Sequence, residues 1–262
     1  MSGFSPDHAG AEVRVSPNFG PRVGVSRPDM IILHYTGMET GNAAEAWLCA
    51  PQSQVSAHYL VHEHGRVVQM VRESDRAWHA GQSFWHGVTD VNSRSVGIEI
   101  VNPGHEFGYR NFPRRQIAAV IELCRGIIAR HRVLPQRVLA HSDVAPGRKV
   151  DPGEKFPWRK LAEAGVGHFV APARVGGKQV LGPGDSGVAV EELQSMLSLY
   201  GYRIDITGLY DQQTVAVVAA FQQHFRPRRC DGVADRSTIE TLRRLLLSLP
   251  AKRGKSQFFR TA

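Results

Sequence analysis

Short strand-like runs alternate with helix-spaced segments up to about residue 170, and this interleaving restricts the fold more than any other feature of the chain. MIILHYT (30–36) and SVGIEIV (95–101) read as buried strands. AHYLVH (57–62) and RVVQMV (66–71) are short β-like runs separated by EHG, a hairpin turn. RRQIAAVIELCRGIIARH (114–131) has apolar residues at 117, 120, 121, 124, 127 and 128, the spacing of an amphipathic helix. RVLAH (137–141) reads as a further strand ending at His141. Strands interleaved with helices imply an α/β fold, a mixed β-sheet with helices packed on it.

The character of the chain changes after that. VAPARVGGKQVLGPGDSG (170–187) is rich in Gly and Pro and reads as a linker. Three helical patterns follow, at about 188–200, 212–225 and 236–248, joined by loops with a repeated Asp/Gly turn. Thr214 and Thr238 fall where two of these helices begin, in reach of first-turn capping. The expected division is a first domain over 1–172, a linker over 173–183, a small three-helix domain over 184–249 and a basic tail over 250–262.

Composition narrows the functional classes. A chain of 262 residues, 42% apolar, suits a globular protein of one large or two modest domains. No apolar run approaches the roughly 18–20 residues that span a bilayer. The N-terminal stretch has no apolar signal-peptide core. Cys49, Cys124 and Cys230 are odd in number and far apart, which points to free thiols in a reducing compartment. A cytoplasmic location is therefore expected, with the periplasm or cell envelope as the alternative if the true start lies upstream. The net charge of +8 suits a polyanionic partner, but the basic residues are scattered, and the densest run, KRGKSQFFR, reads as a tail. Nucleic acid is not expected; an anionic polymer such as bacterial cell wall fits the charge equally well.

One stretch concentrates chemistry: AHSDVAPGRKVDPGEKFPW (140–158), broken by three prolines. It looks too broken for a helix and too polar for a core strand. His141 closes a strand and Asp151 follows ten residues later; His34 closes the earlier strand IILH. Two histidines at strand ends and a carboxylate on a rigid loop make a zinc set with one position left open. The plain alternative is that these are hydrogen-bonded structural histidines, since the chain has 12 and lacks both HExxH and a Cys/His cluster.

ILHYTG, SAHYLV, AWHAG, SVGIEIVNPG, AHSDVAPGRKVDPG and FPW occur in that order. Together they resemble the zinc-dependent N-acetylmuramoyl-L-alanine amidases, the amidase type 2 family of AmpD/AmiD-like enzymes, over roughly residues 20–170. The resemblance implies the mixed sheet flanked by helices that this family shares with peptidoglycan recognition proteins. It implies cleavage of the amide between the lactyl group of N-acetylmuramic acid and the L-alanine of the stem peptide, in peptidoglycan or muropeptides. Carried over by motif, the zinc ligands fall on His34, His141 and Asp151, and the two further catalytic positions on Glu99 and Lys149. The chemistry is consistent: Glu99 is placed to shuttle a proton between water and the departing amine, and Lys149 to stabilise the oxyanion. Outside the motif, Glu99 could equally face solvent from an alternating strand and Lys149 could be a solvated loop residue. His58 and Trp78 are expected to pack or hydrogen-bond rather than act on substrate; Tyr35 and His79 lie in family-like motifs; Asn102 and its NPG turn are expected to line the cleft.

The C-terminal part, about 180–248, resembles the type 1 peptidoglycan-binding domain, a three-helix module. That implies tethering of the enzyme to its polymer through a flexible linker; the alternative is a helical cap that stabilises the catalytic domain. The runner-up for the whole protein is a non-catalytic recognition protein on the same fold, disfavoured because all three ligand positions, Glu99 and Lys149 are present. A regulatory binding partner is a third class that nothing in the sequence calls for. The oligomeric state is not legible.

Overall fold

The computed structural model describes residues 4–174 and 180–250. The basic tail proposed from sequence falls almost wholly outside these residues, as does the middle of the linker.

The first elements are β1 (Glu12–Val13), β2 (Phe19–Pro21), β3 (Met30–Tyr35), α1 (Gly41–Leu48), β4 (Tyr59–Val61), β5 (Val67–Gln69) and β6 (Asp75–Ala77). They are followed by α2 (Val91–Arg94), β7 (Ser95–Ile100), α3 (Arg114–His131), β8 (Val138–Ala140), α4 (His141–Val144) and α5 (Trp158–Glu163). The main sheet has six strands in the order β1-β5-β4-β7-β3-β8. β4, β7, β3 and β8 run parallel, and β4 and β5 form the expected antiparallel hairpin.

The period-2 alternation of β3 sorts its residues between two cores. Ile31 and Leu33 join the cluster under α3, with Val96, Ile98, Ile117, Val120 and Ile127. Met30 and Ile32 point to the other face. α3 presents the stripe read from the sequence: Ile117, Val120, Cys124 and Ile127 are buried, with Ile121 and Ile128 partly so. Arg132, left-handed at φ 57°, ends the helix.

Beyond these lie β9 (Val180–Leu181), α6 (Val188–Tyr200), α7 (Gln212–Phe225), β10 (Ala234–Asp235) and α8 (Arg236–Ser248). The three helices match the spans expected from periodicity. Thr214 and Thr238 take part in first-turn capping as read from the sequence, but Asp211 and Asp235 are the N-caps, and each accepts the backbone N–H of Thr214 or Thr238. The Thr hydroxyls donate to the same carboxylates. Aspartate wins the position because its oxygen accepts while carrying a charge that favours a helix N-terminus.

The helical unit shares a core with the sheet. Met30, Ile32, Trp85, Val91, Leu139 and Val144 form one apolar cluster with Val190, Leu197, Tyr202, Val217, Phe221 and Leu242. Trp85 is fully buried, edge-on to Tyr202 with ring centroids 5.0 Å apart. Gly201 makes the approach possible: it adopts φ 136°, and a Cβ there would lie 2.7 Å from the Trp85 ring.

Candidate active site

Parallel strands bring their carboxyl ends to one edge, where ligands of such sheets gather. In the β3–β7 register His34 lies opposite Glu99, and in β3–β8 Leu33 lies opposite Ala140. His141, the next residue, therefore comes level with His34. The strand stops at Ala140 rather than at His141, and His141 opens the one-turn helix α4. The proline-broken stretch thus holds a helical turn that its sequence conceals, and it also supplies Trp158, the first residue of α5.

His34, His141 and Asp151 are all buried and their ligand atoms converge. His34 Nδ1 is 2.9 Å from His141 Nδ1 and 3.1 Å from Asp151 Oδ2; His141 Nδ1 is 3.0 Å from the same oxygen. Hydrogen bonds behind the rings fix their tautomers. The Ser95 hydroxyl donates to the Val91 carbonyl, so its oxygen is left to accept from His79 Nε2 at 3.2 Å. A neutral His79 then accepts at Nδ1 from His34 Nε2, 3.0 Å away. On the other ligand, His141 Nε2 faces the Ala80 carbonyl at 3.1 Å and donates to it. Both rings are left with the Nδ1 lone pair aimed at Asp151. Two lone pairs and a carboxylate oxygen pointing at one spot repel one another unless a cation lies between them. The donor set of two imidazoles and a carboxylate fits zinc.

Electrostatics agree with that state. Burial, then the neighbouring His141, lowers the His34 pKa to about 4, so the ring is neutral near pH 7. Burial and three histidine neighbours hold His79 well below its usual value. Burial pushes the Asp151 carboxyl up, and positive charge or donated protons at the His141 and His34 nitrogens pull it far below the ordinary carboxylate range; with both Nδ1 lone pairs free, a cation between them is what keeps it ionised. Burial and Asp151 push Glu99 well above its ordinary value, and Lys149 only partly offsets them. Glu99 Oε2 is buried and has no hydrogen-bond partner among the described residues.

The converging atoms floor a cleft of about 480 Å³, a size that admits a sugar–peptide fragment. Glu99 and Lys149 line it, as do Tyr35, Trp78 and His79. Trp47 forms part of the wall and is 45% exposed. His58 is buried away from the cleft, taking the Gly97 N–H at 2.9 Å. Asn102 is also buried and does not line the cleft, contrary to expectation. Its side chain bonds Arg110 O and Gly104 N, and so holds the loop whose Pro103 and Gly104 do line it. His79 owes its position to Gly97: a Cβ there would lie 2.4 Å from the ring. The sequence offered WHAG and SVGIE separately; only the sheet shows that one glycine makes room for the other segment's histidine.

Comparison with known proteins agrees with this geometry. Residues 24–154 match the N-acetylmuramoyl-L-alanine amidase family model, and residues 186–242 match that of a peptidoglycan binding domain. The chain is 36% identical to N-acetylmuramoyl-L-alanine amidase AmiD of Escherichia coli K12, over 81% of this chain and 80% of that one. It superposes on the structure of E. coli AmiD in complex with anhydro-N-acetylmuramic acid-L-Ala-D-gamma-Glu-L-Lys with a TM-score of 0.72, at 34% identity, covering 89% of this chain and 92% of the other. For AmpDh3 of Pseudomonas aeruginosa the TM-score is 0.69, at 31% identity, covering 91% and 96%. Sheet, cleft and relatives agree: the chain belongs to the N-acetylmuramoyl-L-alanine amidase family.

Proposed function

We propose that the protein hydrolyses the amide between N-acetylmuramic acid and the L-alanine of the stem peptide, with zinc held by His34, His141 and Asp151. The convergence of two Nδ1 lone pairs and one carboxylate oxygen on the cleft floor carries this reading. A zinc ion so held would supply Lewis acidity, polarising the amide carbonyl and making water acidic enough to attack near neutral pH.

The chain's own residues do the rest. Glu99 stands beside His34 across the strand pair and lines the cleft, and its buried Oε2 has no hydrogen-bond partner among the described residues. Its raised pKa suits a group that takes a proton from water and returns it to the departing amine. Lys149, two residues before Asp151 on the cleft wall, places a positive charge where the oxyanion of the tetrahedral intermediate develops. Trp47, Trp78 and Val55 give the wall the apolar surface that a sugar ring and lactyl methyl need.

Glu99→Gln tests the assignment because shape and ligands are kept. Zinc content and substrate affinity should stay at wild-type levels, while turnover falls by at least the roughly 10²-fold typical of a lost acid–base group. Near-normal turnover would exclude Glu99 from proton transfer. Digestion of sacculi against soluble anhydro-muropeptides, with products identified by mass, separates the two forms of substrate.

A further inference from the structure

Asp143 lies two residues beyond His141, is fully buried, and is not explained by the cleft. A carboxylate removed from water must be satisfied by donors, and here they can be counted. Oδ1 accepts from the Tyr202 hydroxyl at 2.6 Å. Oδ2 accepts from His224 Nδ1 at 2.6 Å and from the backbone N–H of Ala140 at 2.8 Å. The Ala140 bond is local: it is the reach-back of a third-position carboxylate to the residue preceding a helix. The other two donors come from the C-terminal helical unit, Tyr202 just after α6 and His224 on α7. His224 is itself clamped, stacked on Trp158 with ring centroids 3.7 Å apart.

The helix that Asp143 fixes is α4, a single turn with few bonds of its own. It carries His141 at its first position, and the N–H of Ser142 donates to the Asp151 carbonyl at 3.0 Å. Its orientation therefore bears on two of the three converging ligands. We infer that Tyr202 and His224 are positioning residues for the metal site: by gripping Asp143 they lock α4 and hold His141 and the Asp151 loop in binding geometry. The inference rests on the reading of His34, His141 and Asp151 as a zinc site. It gives the helical unit a part in the active centre beyond any role in holding polymer.

Tyr202→Phe in the full-length protein removes one hydroxyl and leaves the ring that packs on Trp85. Tyr200→Phe is the matched control: that hydroxyl bonds His168 Nδ1 at 2.9 Å and, unlike the Tyr202 hydroxyl, makes no hydrogen bond to Asp143 among the described residues. Asp143→Asn is the second variant, removing the charge that both donors grip. Zinc dissociation constants are measured by chelator competition on the metal-free proteins, beside their melting temperatures. Tyr202→Phe and Asp143→Asn should each weaken zinc about tenfold or more, the range seen for residues that orient metal ligands from behind. Tyr200→Phe should bind zinc as the wild type does, even where its melting temperature falls equally. Wild-type zinc affinity in Tyr202→Phe, or an equal loss in Tyr200→Phe, would overturn the inference and leave the metal site standing. A wild-type protein that takes up no zinc would overturn both.

Discussion

Glu73 shows how much one side chain can stabilise this fold. It is 2% exposed and accepts from the Tyr59 hydroxyl at 2.7 Å, from Arg130 at 2.6 and 2.9 Å, and from His131 Nε2 at 2.6 Å. Burial pushes its carboxyl up, but the bonds from His131, Arg130 and Tyr59 pull it further down, to about 2. A depressed folded pKa stabilises the fold above the unfolded value of 4.5 and ceases to do so as pH falls through about 2. The shift corresponds to on the order of 3 kcal/mol. Melting curves between pH 5 and 2 should therefore show a steeper acid loss in the wild type than in Glu73→Gln (a window set by the linkage of folding to protonation). Parallel curves would remove Glu73 from the account. Residue-scale logic also governs the cleft: two carboxylates shift in opposite directions, Asp151 down through the positive charge focused on it at the His141 and His34 nitrogens, and the half-buried Glu99 up through desolvation and then the charge of Asp151.

Elements with a strong period were legible in the sequence, and elements made by tertiary contact were not. α3, α6, α7 and α8 stand where apolar spacing placed them, because each buries a stripe of its own. The β4–β5 hairpin was legible through its turn. β1, β2 and β6 are strands of two or three residues whose pairing comes from partners far along the chain, so no local pattern marks them. α4 was hidden because its four residues, HSDV, have no helical period; Asp143 and its distant donors hold them in a turn. In the site, strand ends, the proline-fixed loop and donor chemistry pointed to His34, His141 and Asp151, while the catalytic positions of Glu99 and Lys149 came from motif resemblance. The orienting chain of Ser95, His79 and His34 depends on the β3–β7 register and on the space left by Gly97, which exist only once the sheet is assembled.

At the scale of the whole molecule, the two units are joined by a continuous apolar core and by the buried Asp143 cluster. Removing the helical unit would expose Met30, Ile32, Trp85, Leu139 and Val144 to water, at about 1.5–3 kcal/mol for each large side chain. A fragment of residues 1–175 should therefore melt well below the intact protein and lose activity on soluble muropeptide and insoluble peptidoglycan alike. A stable fragment with full activity on the soluble substrate, impaired only on the polymer, would instead make the helical unit a tether. The central claim is more basic, that His34, His141 and Asp151 form a zinc centre on which catalysis depends. Its most direct test is the metal content of purified protein, with activity measured after chelation and after zinc is restored. The account predicts one zinc per chain, activity lost and regained with the metal, and neither zinc nor activity in His34→Ala. A purified protein that holds no stoichiometric zinc, and whose activity does not change when zinc is added, would contradict it.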